Sequence, residues 1–276
     1  MGGRVSCIAV GLLAAATASA LAQARKTDPV AACHSEAVGS GKVVRITDGR
    51  SFVVDDGREI RLASIEAPPL PGSANEPRAA AGLAAKAALE SILADRTVTL
   101  HQQQHGATDR YGRLLADVYV TGDASERSVA HELLARGYAR VAIQAGHAAC
   151  SAELLLQERA ARAAKLGLWT DPYYALRRAD NVAELLAERG RFTVAEGKVV
   201  SVRESGGVIY VNFGRVWSRN LTVTISKRNE RVFTAAGIEP KKLEGHRLRV
   251  RGWIEERNGP RIEAARPEQI EIADAD

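Results

Sequence analysis

Three kinds of apolar pattern follow one another along the chain. Val5 to Ala18 is an apolar run behind Arg4, and it leads into Ala20-Leu21-Ala22 before Gln23. A basic start, a short apolar stretch and small residues at a cleavage point have the form of a secretory signal peptide, over residues 1–22. The run is shorter than the roughly 20 apolar residues that span a bilayer, which favours a cleaved leader over the alternative of an uncleaved anchor. No cysteine stands at the cleavage point, and no other segment is long and apolar enough to span.

From Gly41 the period falls to two. "KVVRIT" and "SFVVDDGREIRLASI" alternate apolar and polar positions around an Asp-Asp-Gly-Arg turn, which predicts a hairpin. A loop with Pro68, Pro69, Pro71 and Pro77 follows. Residues 79–94, "AAAGLAAKAALESILA", change to helical spacing with high helix propensity. "TVTLHQQQ" and "LLADVYV" predict strands on either side of the turn "ATDRYGR". Helices at about 126–136 and 149–165 end at Gly137 and near Gly167. The order is three strands, a helix, two strands and two helices.

A helical link over 171–190, carrying "ADNVAELLAERG", leads to a second series in 191–272. It reads "FTVAEGKVVSV", "VIYVNFG", "LTVTIS", a short helix near 228–236, "RLRVRGWIEE" and "RIEAARPEQIEI". Five strands with a helix between the third and fourth is the plan of an oligonucleotide/oligosaccharide-binding barrel, although alternating strands also build sandwiches. The expected class is mainly β with α, an α+β arrangement of two barrels.

Composition adds limits. The 276 residues are 46% hydrophobic and 26% charged, enough for one or two cored domains. Acidic and basic residues balance over 1–188, so the formal charge of +5 falls on 189–276, which suits an anionic partner. Loss of a leader would leave Cys33 and Cys150, and in an oxidising compartment two cysteines most simply form one disulfide; two buried thiols are the alternative.

The chemistry sits in four motifs, "DGRSF", "IRLASIEAPP", "DRYGRLLA" and "LLARGYARV". In this order and spacing, with "LGLW" at 166–169, residues 41–170 resemble the thermonuclease (staphylococcal nuclease-like) family. The resemblance implies a nuclease-type barrel with packed helices, then the second small barrel. In that family a metal-binding Asp in a turn, an Arg on the third strand, an Asp and a Glu base in one segment, and a second Arg cleave phosphodiesters with Ca²⁺. Arg61 and Arg113 match the two phosphate-binding arginines. Arg50 replaces the turn's metal ligand, Glu66 stands for the second metal Asp, and Pro69 stands where the general base belongs.

These departures change the chemistry. An arginine puts a cation where a hard divalent ion needs oxygens, and proline takes no proton; general-base catalysis is typically worth about 10²–10⁴ in rate. Glu76, in the following loop, could supply a carboxylate from another direction. Arg50, Arg61 and Arg113 remain as a phosphate cluster, with Glu66 as a remnant ligand. The expected partner is nucleic acid or another polyanion, held by an exported, periplasmic or secreted protein with an impaired site and no required cofactor. The alternative is an active nuclease using Ca²⁺ through rearranged ligands.

A second candidate lies in "HRLRVRGWIE". Period two sets Arg247, Arg249, Arg251 and Trp253 on one face of a strand and Leu248 and Val250 on the other. Such a stripe suits a phosphate backbone with a base on the ring, and Tyr210 is a further aromatic for it; a solvated basic strand is the alternative. No HExxH, CxxC, Gly-rich phosphate loop or GxSxG motif occurs.

Overall fold

The computed structural model describes Gly2 and residues 36–72, 79–102, 106–121, 126–143 and 150–273. The expected leader, Cys33 and Glu76 lie outside the described residues; Cys150 is buried.

The first half runs β1 (Glu36–Asp48), β2 (Ser51–Val54), β3 (Glu59–Leu62), β4 (Ile65–Glu66), α1 (Ala79–Leu93), β5 (Thr97–Gln102), β6 (Leu114–Thr121), β7 (Glu126–Ser128), α2 (Val129–Ala135), β8 (Arg140–Val141) and α3 (Ser151–Ala163). A 3-10 turn at Gly167–Thr170 follows. The second half runs β9 (Arg177–Arg178), α4 (Val182–Ala187), β10 (Phe192–Lys198), β11 (Ser201–Ser205), β12 (Val208–Asn212), β13 (Thr222–Ser226), α5 (Glu230–Ala235), β14 (Arg247–Trp253), β15 (Glu255–Glu256), β16 (Pro260–Glu263) and β17 (Ile270–Ile272).

In the first half the sheet order is β3-β2-β1-β5-β6-β7, and parallel pairing of Ile60–Leu62 with Leu114–Ala116 closes it into a five-stranded barrel. Phe52, Val54, Ile60, Leu62, Val98, Leu100, Ala116 and Val118 point inward, as period two requires. They meet Leu89, Ile92 and Leu93 of α1 and Leu133 and Leu134 of α2. The second half forms two sheets, ordered β11-β12-β13-β16-β15 and β17-β14-β10-β9: β11, β12 and β13 are antiparallel, α5 follows, and β16 returns parallel to β13. Its core holds Ile209, Val211, Val223, Ile225, Phe233, Leu248, Val250 and Ile262. The fold is α+β. Among the described residues no helix is long and apolar enough to cross a membrane.

A buried charged seam joins the halves. Glu158 of α3 accepts hydrogen bonds from Arg251 of β14 at 2.7 Å and from the Val141 N–H at 2.6 Å. Arg251 also pairs with Glu271 of β17 and donates to the Val141 carbonyl at 3.2 Å, while Arg159 reaches Glu271 at 2.7 Å. Burial disfavours the Glu271 carboxylate, but Arg251, Arg159 and Arg162 outweigh it and hold its pKa below the ordinary 4.5.

Candidate phosphate-binding site

The site begins at the turn between β1 and β2. Asp48 Oδ1 accepts the Arg50 backbone N–H at 2.8 Å and fixes the turn. Gly49 is needed for close approach: a Cβ there would lie 2.7 Å from the Ala85 Cβ on α1 and 3.1 Å from that of Ala67. The Arg50 carbonyl accepts the Leu62 N–H at 2.9 Å, tying the turn to β3. The Arg50 side chain thus points inward and is buried.

Its charge is met within the protein. Nη1 and Nη2 of Arg50 pair with Oε2 and Oε1 of Glu66 in a fork, and Nη1 also donates to the Ile65 carbonyl at 3.1 Å. Burial pushes the Glu66 carboxyl above its ordinary pKa of 4.5, Asp48 adds to that, and Arg50 and Arg140 oppose it. Arg140 is opposite Glu66 in the β4–β8 pairing. It donates to the Phe192 carbonyl at 2.8 Å, and its guanidinium lies 5.3 Å from the ring centres of Tyr174 and Phe192.

Arg61 is different. It sits opposite Ser51 on β3 and, among the described residues, its side chain makes no hydrogen bond or ion pair. It lines a cleft of about 340 Å³ with Thr47, Asp48, Arg50, Glu66 and the Ala67–Leu70 segment. The buried Thr47 hydroxyl in that wall has no hydrogen-bond partner. An unpaired guanidinium beside an unsatisfied hydroxyl suits a phosphate oxygen. Pro69 supplies packing: a Cβ on Gly82 of α1 would come within 2.2 Å of its carbonyl oxygen.

The structure brings together Arg50, Arg61 and Glu66 and leaves the other expected residues elsewhere. Arg113 is absent from the cleft's lining. Asp109 holds its Nε at 2.8 Å and its Nη2 at 2.6 Å, and Asp109 Oδ1 accepts the Tyr111 and Arg113 backbone N–H groups. Burial of Asp109, which alone would raise its pKa, is outweighed by Arg113 and these donors, so it lies below the ordinary carboxylate value. "DRYGR" is a self-paired turn.

The β14 stripe is corrected in the same way. Arg249 is buried and bonds Glu196 at 2.6 Å, and Arg251 is buried in the seam; facing elements cover the side that period two had set toward solvent. Trp253 does remain exposed, at 52%. It meets Phe192 edge-to-face and lines a smaller cleft of about 200 Å³ between the halves, of which Glu66 is also a wall. The Arg50–Glu66 pairing had one sequence signal: opposite charges replacing two like-charged ligand positions.

A sequence model of the staphylococcal nuclease homologue family matches residues 59–171. Protein ParB of Escherichia coli is 34% identical to this chain over 141 residues, 48% of this chain and 73% of that protein. The chain belongs to the staphylococcal nuclease homologue family. Family membership brings an expectation of nucleic-acid chemistry, and its barrel carries the Arg61 cleft. The Ca²⁺ that the family implies does not fit the donor set in that cleft. Both Glu66 oxygens face Arg50, Asp48 Oδ1 is taken by a backbone N–H, and among the described residues no three His, Cys, Asp or Glu side chains converge.

Proposed function

We propose that this staphylococcal nuclease homologue is an exported protein that holds nucleic acid, or another phosphate-bearing polymer, through Arg61, with its phosphodiesterase chemistry lost or severely impaired. The observation that carries the reading is the Arg50–Glu66 pair. It sets a cation where the family's ligands would gather a metal, and it occupies the remaining carboxylate. Arg61 is left as the cation open to an incoming phosphate, beside the Thr47 hydroxyl.

The test uses the purified mature protein with single- and double-stranded DNA and RNA, in Ca²⁺, Mg²⁺, Mn²⁺ or EDTA. Binding at low salt without cleavage, weakened in Arg61→Ala, is the expected result. Metal-dependent cleavage that disappears in Arg61→Ala would establish the second reading, an active nuclease with rearranged ligands. A flat titration at low salt would overturn both. A Cys33–Cys150 bridge belongs to the same proposal of export. Equal mobility on reducing and non-reducing gels with two titratable thiols would refute it.

A further inference from the structure

We propose that the second half carries a base-stacking site for single-stranded nucleic acid, built on Trp217 and Tyr210 and bordered by Arg203, Arg215 and Arg219. This rests on the nucleic-acid reading above and assigns it a second, separate surface.

Ile209 and Val211 point into the second core, so Tyr210 between them faces outward. The Trp217 ring lies parallel to it, at 7° and a centroid separation of 6.4 Å, and is 60% exposed. An exposed indole in a 3-10 turn beside the outer face of β12 is large apolar area left in water, and every nucleobase has a π-face to cover it. The turn is held in place. Asn220 donates to the Val216 carbonyl at 3.0 Å, and Gly214 packs so closely on Asn220 that a Cβ would fall 2.0 Å from its side chain. Gly259, at φ +121°, lets the neighbouring loop approach the Trp217 carbonyl, 2.4 Å from where a Cβ would stand. A turn whose backbone is fixed beforehand has less to lose in entropy when its ring stacks.

The surrounding charge favours a polynucleotide over an uncharged aromatic ligand. Arg203 is directly opposite Tyr210 in the β11–β12 register, so the two share a face. Arg215 and Trp217 line one open cleft of about 380 Å³ with Val216, Ser218 and Asn258, and Arg219 follows in the same turn. Among the described residues the side chains of Arg203, Arg215 and Arg219 make no ion pair or hydrogen bond, and all three are exposed. Cations beside a stacking ring match phosphates beside a base.

The test measures binding of the mature chain to a labelled oligothymidine and to an abasic strand of equal length, at several salt concentrations. Trp217→Ala is expected to weaken oligothymidine binding about 5- to 100-fold, one stacked base, and to leave the abasic strand unaffected. Trp217→Phe should recover most of the loss. Joint replacement of Arg203, Arg215 and Arg219 by Ala should weaken both ligands and reduce the salt slope by about 0.7 for each phosphate contact removed. Unchanged oligothymidine binding in Trp217→Ala overturns the site, and equal losses on both strands overturn base recognition in favour of a plain polyanion surface. If Arg61→Ala abolishes binding while Trp217→Ala does nothing, this inference fails and the Arg61 reading stands. If the wild type binds neither strand, both fail.

Discussion

Two arginine-rich regions of the second half have opposite fates. On β14, Arg247 and Arg249 share Glu196 at 2.7 and 2.6 Å, and Arg251 pairs with Glu158 and Glu271. Around Trp217, three arginines find no acidic partner among the described residues. The lesson is that basic residues recognise anions only where the fold has not already supplied the counter-charge. The first half repeats it within one cleft, where Arg50 is neutralised by Glu66 and Arg61 is not.

The sharpest way to break this contrast is to remove a buried partner. Arg251→Ala leaves Glu158 and Glu271 buried without their shared cation and should cost about 3–5 kcal/mol in denaturant unfolding. Arg251→Met, which keeps volume without charge, should not rescue, because both carboxylates remain. A loss below about 1 kcal/mol in Arg251→Ala would show that the seam is not a stabilising contact. Next in size is Arg61→Ala, expected to weaken polyanion binding about 10- to 100-fold, the range of a hydrogen bond to a charged group, with unfolding stability nearly unchanged. Equal affinity for mutant and wild type in an anisotropy titration would remove Arg61 from the site.

Acid offers a milder perturbation. Glu271 has its pKa depressed in the folded state, so the folded protein binds fewer protons there than the unfolded chain. Its contribution is therefore complete above the ordinary 4.5 and fades as pH falls through the lower folded value. Stability should drop below about pH 4.5, with a smaller acid drop in Glu271→Gln; identical acid profiles would contradict this. The smallest effect belongs to Arg247→Ala. Its side chain is 56% exposed, against 10% for Arg249 and 2% for Arg251, so solvent screening should keep its cost under about 1 kcal/mol. Thermal unfolding of the three alanine variants should rank in that order, and a reversed order would break the comparison.

What the sequence revealed followed the range of the interactions. The β2–β3 hairpin and α1 over Ala79–Leu93 are set by local period and turn chemistry, and they were readable. The run expected as one strand at the start of the second half instead divides into β10 and β11, which join different sheets. β1 was expected near Gly41 but starts at Glu36, because Glu36–Lys42 has little apolar alternation and is extended by pairing with β5. The 171–190 link, expected to be helical, holds the two-residue strand β9 and a six-residue helix capped by Asn181. At the sites, period two gave the face of Arg251 but not what covers it, since Glu158 lies 93 residues earlier. Arg50 and Glu66 are 16 residues apart across two turns, so their pairing also needed the fold. Trp217 escaped because no alternation marks a 3-10 turn.

The seam at Arg251 has a mechanical consequence. It ties the half that carries the proposed Arg61 site to the half that carries the proposed Trp217 site. A strand that touches one face brings the other within intramolecular reach only if it is long enough to cover the fixed span. Strand length then acts as a ruler, and affinity should step upward at one length instead of rising evenly with each added nucleotide.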